Sequence, residues 1–152
     1  MHACLRNSAY RRDWPLRVLQ REVIAKVADP VIAVMGLTYK ENTRSIKNSP
    51  AIALIRRMRG IRLRLFDPSI TADPAWHDDF TTAADTEVVC EGADALVIMT
   101  PWPEFRSLSL PRLARQLRSR IVVDPFNVLA RKAVASVGLR HFGLGFASSN
   151  GG

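Results

Sequence analysis

The segment Val31-Ile-Ala-Val-Met-Gly-Leu-Thr-Tyr-Lys40, with Ser49-Pro50 after it, decides the fold of this chain. Its apolar residues, ending at Gly36, predict a buried strand that runs into a tight turn. Ser49-Pro50 is typical of a helix start, because serine caps a first turn and proline fits the first helical position. The segment therefore predicts a strand, a loop and a helix. In open α/β sheets ligands lie outside the carboxyl ends of the strands, so Lys40 stands where an anionic ligand would bind.

Further strands and helices alternate around this unit. Apolar residues at helical spacing predict helices at 13–28, 50–59, 83–92, 110–117 and 129–137. Apolar or alternating runs predict further strands at 61–66, 95–99, 121–123 and 139–142. The Asp, Pro and Thr content of 71–82 predicts a loop. The pattern predicts an α/β fold: a Rossmann-like, doubly wound, mostly parallel sheet in a single domain preceded by an N-terminal helix.

The length and composition fit one globular unit. A chain of 152 residues with 47% hydrophobic residues is large enough to bury one core. We expect a tail and linker helix at 1–29, one domain at 30–146 and a flexible tail at 147–152. No apolar stretch approaches the roughly 18 residues needed to cross a membrane, and the start of the chain lacks the pattern of a signal peptide. We therefore expect a cytoplasmic protein with no membrane partner.

Cysteine and histidine give no sign of a metal or nucleophile site. Cys4 and Cys90 stand outside any C-x-x-C or C-x-x-H spacing, and the apolar residues around Cys90 predict an inert core thiol. No spacing typical of a ligand set or a catalytic pair connects the three histidines, His2, His77 and His141. We assign no catalytic residue and no metal ligand.

The chain is strongly basic, with a net charge of +8 and a pI near 10.5. This balance suits nucleic acid, an anionic membrane surface or a small phosphorylated ligand. The arginines fall in pairs along predicted helices, as at 56–57, and alternate at Arg62 and Arg64 of one predicted strand. Such spacing is typical of solvated faces and disfavours a dedicated nucleic-acid surface.

The segment around Gly36 resembles the start of the C-terminal, nucleotide-sugar-binding domain of the UDP-glucose/GDP-mannose dehydrogenase family. That family's pattern is a strand, then Gly-Leu-(Ala or Thr)-(Phe or Tyr)-Lys, then Thr, an acidic residue, an Arg and Ser-Pro-Ala. The matching residues here are Gly36-Leu37-Thr38-Tyr39-Lys40, Thr43, Lys47 and Ser49-Pro50-Ala51. Similar landmarks continue at 93–100, Trp102, Glu104-Phe105, 122–124 and 138–145. The resemblance thus extends over more than a hundred residues.

The resemblance implies roles for three residues. Lys40, with Tyr39 beside it, would bind a UDP-sugar or a related nucleotide sugar. Lys47 takes the place of the family's Arg, which reaches toward the phosphates of NAD bound by another domain. Without the resemblance, solvent exposure alone would account for both lysines.

Three departures from the family pattern bear on binding. Lys47 offers a point charge where arginine offers a planar fork for two phosphate oxygens. Ser45 stands where the family has an acidic residue. In Asp124-Pro125-Phe126-Asn127, Phe126 replaces an Arg that helps to hold the nucleotide phosphates. Phenylalanine donates no hydrogen bond to phosphate, although its ring is able to stack or pack.

The chemistry of the resembled family needs parts that this sequence does not display. The turn at Gly36 is neither G-x-G-x-x-G nor a Walker motif. Asp67 ends a strand where dinucleotide folds place a ribose-binding acid, yet an Asp-Pro turn also explains it. In the family, NAD-dependent oxidation of a sugar alcohol to a uronic acid proceeds through a cysteine in a Gly-Gly-x-Cys setting, which neither cysteine here shares. We therefore expect a nucleotide-sugar-binding domain that is inactive alone, with a separate N-terminal dehydrogenase part as a possible partner.

Two alternatives remain open from the sequence. The first is a non-catalytic binding or regulatory remnant that has lost the nucleotide through Phe126 and Ser45. The second is a polyanion or nucleic-acid binder that uses the arginine surplus and whose affinity falls steeply with salt.

Overall fold

A computed structural model of the chain describes residues 12–144. Within them, one six-stranded sheet has the order β3-β2-β1-β4-β5-β6. The strands are β1 (Val31–Met35), β2 (Arg62–Phe66), β3 (Phe80–Thr82), β4 (Ala95–Ile98), β5 (Ile121–Val123) and β6 (Arg140–Phe142). Every neighbouring pair is parallel. This confirms the predicted doubly wound, Rossmann-like sheet, and its order reverses between β1 and β4, where such sheets leave a crevice.

Helices cover both faces of the sheet. An α-helix at 12–19 continues into the π-helical turn Gln20–Ile24, and we call the whole segment α1. The other α-helices are α2 (Pro50–Arg57), α3 (Leu110–Gln116) and α4 (Arg131–Ser136). Two 3₁₀ turns lie at Pro74–Trp76 and Pro103–Ser107. Four predicted helices are confirmed, each ending somewhat earlier than the pattern indicates. The predicted tail at 147–152, His2 and Cys4 lie outside the described residues.

Two apolar layers sandwich the sheet, and β1 supplies both. Ile32 and Val34 point into the layer beneath α1 and α2. Ala33 and Met35 point into the opposite layer, with α3, α4 and Phe105. Because all five residues of β1 are buried, this strand lies at the centre of the molecule. The strand that leads into the candidate site is therefore buried along its whole length.

The helix predicted at 83–92 is absent, and the segment forms turns instead. The carboxylate of Asp85 accepts the backbone N–H groups of Glu87 at 2.8 Å and of Val88 at 3.2 Å. Such a local bond from side chain to backbone competes with helix formation. The thiol of Cys90 is nevertheless fully buried, as predicted, and burial raises the pKa of Cys90 to about 12.

Arg64 is only partly exposed and does not belong to a solvated face. Its Nε donates to the carbonyl oxygen of Val89 at 2.9 Å, and its Nη2 donates to that of Val88 at 2.8 Å. The guanidinium therefore bonds two carbonyl groups of the turn segment from a neighbouring strand. The expectation of a solvated arginine was wrong here because the partner segment is distant in sequence.

The segment predicted as a loop at 71–82 contains regular structure. Trp76, in the first 3₁₀ turn, is buried in the core beneath α2. Phe80 begins β3 and pairs in register with Leu63 of β2. Composition gave no signal for β3 because a three-residue edge strand is defined by its partner and not by its own periodicity.

α1 is attached to the far edge of the sheet by an ion pair. The Oε1 atom of Glu22 lies 2.8 Å from Nη2 of Arg140 on β6, and Oε2 accepts from Nε of Arg21 at 2.8 Å. These two guanidinium groups, with Lys26 nearby, lower the pKa of Glu22 to about 2.

No helix within residues 12–144 is both long and apolar enough to span a bilayer.

Candidate functional site

The loop that leaves β1 begins at a glycine for a steric reason. Gly36 has a φ of +92°, a backbone conformation that residues with a side chain rarely adopt. Its N–H donates to the carbonyl oxygen of Phe66 at 2.8 Å. The space that a side chain would need is filled by Thr100, which follows β4. The chain therefore crosses the crevice between β1 and β4 with almost no clearance.

Asp67, which follows the last residue of β2, holds this loop in place through hydrogen bonds. Its Oδ2 atom accepts the backbone N–H of Leu37 at 2.7 Å and of Thr38 at 3.2 Å. The same oxygen accepts the indole Nε1–H of Trp102 at 3.3 Å. Its Oδ1 atom accepts the backbone N–H and the hydroxyl of Ser69 at 2.8 and 2.9 Å. Since both oxygens of this buried carboxylate are occupied, Asp67 serves the loop and not a ligand.

Hydroxyl groups complete the support of the loop. The hydroxyl of Thr100 donates to the carbonyl oxygen of Thr38 at 3.0 Å, and that of Thr38 donates to the carbonyl oxygen of Lys40 at 2.9 Å. The hydroxyl of Ser49 donates to the carbonyl oxygen of Leu37 at 2.8 Å and caps α2 by accepting the N–H of Ile52 at 3.3 Å. The predicted helix cap is thereby confirmed, and it also anchors the start of the loop.

A cavity of about 490 Å³ lies at the carboxyl ends of β1, β4 and β5. The described residues of its wall are Arg12, Pro15, Tyr39, Pro50, Met99, Pro125, Phe126 and Leu144. We call it the aromatic cavity, because Tyr39 and Phe126 are half-exposed there at 49% and 45%. Its size falls in the ordinary range of small-molecule pockets, roughly 300 to 1,000 Å³.

Of the residues singled out in the sequence, the structure brings Tyr39 and Phe126 to one cavity. Lys40 and Lys47 lie on the same loop as Tyr39 and are exposed, but neither lines the cavity. Neither lysine side chain has an ion pair or hydrogen bond to another residue within 12–144. Both positive charges are therefore available to a ligand or to a partner domain, and their predicted roles stay predictions.

The loop that carries Phe126 rests on a buried polar pair. The Oδ1 atom of Asp124 accepts the N–H of Val128 at 2.9 Å, and Oδ2 accepts that of Leu129 at 3.0 Å. Oδ2 also lies 2.9 Å from Nε2 of the fully buried His141. His141, which the sequence left without a role, thus helps to fix the loop that holds Phe126 at the cavity.

Sequence reasoning missed Arg12. This residue begins the described part of α1, and only the packing of α1 on the sheet places its side chain in the wall of the aromatic cavity. It is exposed and, among the residues that the structure describes, is the only charged one in that wall. No local pattern distinguishes it from the other basic residues of the helix.

The crevice of this sheet does not fit NAD. A dinucleotide fold needs a glycine-rich turn after β1 and a free acid at the end of β2. Here the turn has the single Gly36, against which Thr100 is packed, and both oxygens of Asp67 are already bonded. A second cavity of about 390 Å³, lined in part by Asp67 and Phe66, offers no further carboxylate from the described part of the chain.

Comparison with known proteins also indicates a nucleotide-binding part of a larger dehydrogenase. The model of the UDP binding domain of the UDP-glucose/GDP-mannose dehydrogenase family matches residues 33–131. UDP-glucose 6-dehydrogenase of Rhizobium meliloti (strain 1021) is 35% identical over 136 residues, covering 85% of this chain and 31% of that protein. UDP-N-acetyl-D-mannosamine dehydrogenase of Pyrococcus horikoshii is 34% identical over 114 residues, covering 74% of this chain and 25% of that protein.

Solved structures agree on the fold. UDP-D-ManNAc dehydrogenase from Pyrococcus horikoshii matches with a TM-score of 0.72 at 28% identity, over 94% of this chain and 32% of that one. UDP-glucose dehydrogenase from Pyrobaculum islandicum gives the same TM-score, 0.72, at 23% identity, over 96% of this chain and 32% of that one, which bears on the fold alone. This chain thus spans about a third of the length of such relatives.

Proposed function

Because the chain belongs to the UDP-glucose/GDP-mannose dehydrogenase family, we propose that it binds the UDP portion of a nucleotide sugar. The matched family model is that of the UDP binding domain, and the relatives extend well beyond the part that this chain spans. The activity that we propose for the complete enzyme is oxidation of a nucleotide sugar to its uronic acid.

The observation that carries this proposal is the aromatic cavity at the carboxyl ends of the central strands. Ligands of doubly wound sheets bind at this edge. The Gly36 turn and the Asp67 carboxylate fix the loop that presents Tyr39 to the cavity. On the same loop, Lys40 supplies a positive charge with no partner inside 12–144, which suits a diphosphate.

For the cofactor, the residues of this chain support a minor role only. NAD does not fit the crevice between β1 and β4, so the dinucleotide would be held by the part of the enzyme outside this chain. The exposed Lys47 is the residue that we expect to face the cofactor from this side. As a point charge, lysine would contact phosphate without the paired bonds of an arginine.

Calorimetric titration of the purified chain with UDP and UDP-glucose tests the proposal. We expect saturable binding, weakened about tenfold by Lys40→Ala through loss of one charge-assisted contact. Lys132→Ala on α4, also exposed, is the matched control and should bind as the wild type does. Absence of binding by a folded sample would contradict the proposal and favour a remnant that has lost its nucleotide. Binding of DNA in preference to UDP would favour a polyanion binder.

A further inference from the structure

We propose that Arg12 holds the phosphate of the bound nucleotide and that Phe126 packs against its ring. The inference rests on the proposed function, since it assigns parts of the same ligand to two walls of the aromatic cavity. Arg12 comes from α1 and Phe126 from the loop after β5, so the two residues belong to elements far apart in sequence.

The first step concerns charge. Among the eight residues within 12–144 that line the cavity, Arg12 is the only charged one. Its guanidinium has neither an ion pair nor a hydrogen bond to any other residue of 12–144. Around an apolar wall the attraction of a guanidinium for phosphate is stronger than in open water. The cavity is therefore built for an anion on one side.

The second step concerns the exposed rings. Within 12–144, three large hydrophobic side chains are exposed, namely Tyr39, Ile46 and Phe126, and both aromatic ones line this cavity. Phe126 is 45% exposed although the loop beneath it is fixed by the buried Asp124 and His141. A half-exposed ring on a loop that is fixed at its base is suited to stacking on a planar ligand.

The third step combines the two. A ligand that uses both walls needs a planar ring and an anionic group within one molecule, and the cavity volume of about 490 Å³ suits such a molecule. A nucleoside diphosphate has this chemistry. Inorganic phosphate would use only Arg12, and a nucleoside alone would use only the rings.

The test is calorimetric titration of four single variants and the wild type with UDP, uridine and pyrophosphate. For Arg12→Gln we expect about tenfold weaker binding of UDP, with uridine unaffected, because one charge-assisted contact to phosphate is lost. The matched control Arg56→Gln removes an arginine of α2 that is also exposed but is not part of the cavity wall, and should bind UDP as the wild type does.

For Phe126→Ala we expect about fivefold weaker binding of both UDP and uridine, through loss of stacking. Ile46→Ala, an exposed apolar residue outside the cavity wall, is its control. In Arg12→Gln combined with Phe126→Arg, a guanidinium enters the cavity from the opposite wall. This double variant should regain affinity for pyrophosphate and UDP but not for uridine.

The outcomes separate the two proposals. If the folded wild type binds no UDP, the proposed function and this inference both fail. If the wild type binds UDP, and both Arg12→Gln and Phe126→Ala bind UDP as tightly as the wild type does, only the assignment of the two walls is overturned. Unchanged thermal midpoints of the variants would show that the affinity changes do not arise from unfolding, as the exposure of both side chains leads us to expect.

Discussion

A Cβ atom built on Gly36 would lie 2.5 Å from the Cβ of Thr100 and 2.6 Å from its backbone nitrogen. Carbon atoms do not approach this closely, so one of the two chain segments would have to move. Thr100 also donates from its hydroxyl to the carbonyl oxygen of Thr38, which ties it to the loop after β1. The contact between these two residues thus sets the spacing between the ends of β1 and β4.

Gly36→Ala should therefore lower the free energy of unfolding by about 2–4 kcal/mol, from crowding together with a positive φ. Gly60→Ala is the control, since Gly60 has φ of +83° but no atom within 4 Å of a built Cβ. There we expect a loss of about 1 kcal/mol from the backbone alone. Urea unfolding followed by circular dichroism measures both, and equal losses would show that crowding by Thr100 contributes nothing.

Asp67→Asn should destabilise the chain by about 2–4 kcal/mol, because an amide would present donors to N–H groups that now bond a charged carboxylate. The affected donors are the N–H groups of Leu37 and Thr38 and the indole of Trp102. Asp85→Asn alters an exposed turn and should cost less than about 1 kcal/mol. A loss at Asp67 no greater than that at Asp85 in the same urea experiment would contradict the role of Asp67 in holding the loop.

Stability should fall in acid through Glu22. The pKa of Glu22 drops from its usual 4.5 to about 2 in the folded chain, beside Arg21 and Arg140. Because the folded pKa is lowered, this contribution is present above pH 4.5 and is lost as the pH falls toward 2. We expect it to be about 1–2 kcal/mol, less than the full shift implies, since Arg21 and Lys26 are exposed to solvent.

The measurement for Glu22 is the free energy of unfolding at pH 6 and again within the acid window. Glu22→Gln should be less stable than the wild type at pH 6, and the difference should shrink as the acid window is crossed. Glu87→Gln, at an exposed position in a turn, is the control for a general effect of charge. A pH-independent difference between Glu22→Gln and the wild type would contradict the ion-pair account.

Cys90 should be unreactive in the native chain. Its thiol is fully buried and burial raises its pKa to about 12, so almost no thiolate exists near neutral pH. In a Cys4→Ser variant, a disulfide reagent such as DTNB should therefore detect no thiol until urea unfolds the chain. Rapid labelling of that variant at a rate independent of urea would show that the turn segment 83–92 opens without unfolding.

The order of most elements could be predicted from sequence because those elements carry their own signals. β1 is a continuous apolar run, and α2 has its cap and its amphipathic spacing within a dozen residues. β3 and the turns at 83–92 have no such signal. Phe80 joins the sheet only because Leu63 of β2 is available to pair with it, and Arg64 satisfies carbonyl groups of the turn segment from a distant strand.

The site was predictable to a smaller extent. Gly36 and the helix cap at Ser49 follow from local chemistry, and Tyr39 was found through its place in a family pattern. Arg12 and His141 were not found, because their roles depend on which elements pack together at the carboxyl ends of the strands. Asp67 has the sequence position of a ribose-binding acid, yet the number of donors around it is visible only in three dimensions.

The exclusively parallel pairing of the sheet also determines how the chain can fold. No two neighbouring strands are joined by a short turn, since each parallel pair needs a crossover connection. The central pair, in which Ile32 stands beside Ala95, joins segments that α2, β2 and β3 separate in the sequence. Bringing such distant segments together costs loop-closure entropy before their contacts stabilise the chain. Refolding should therefore be slower than for a chain of this length built from hairpins. Until it pairs, the apolar run of β1 is a segment that we expect to favour aggregation.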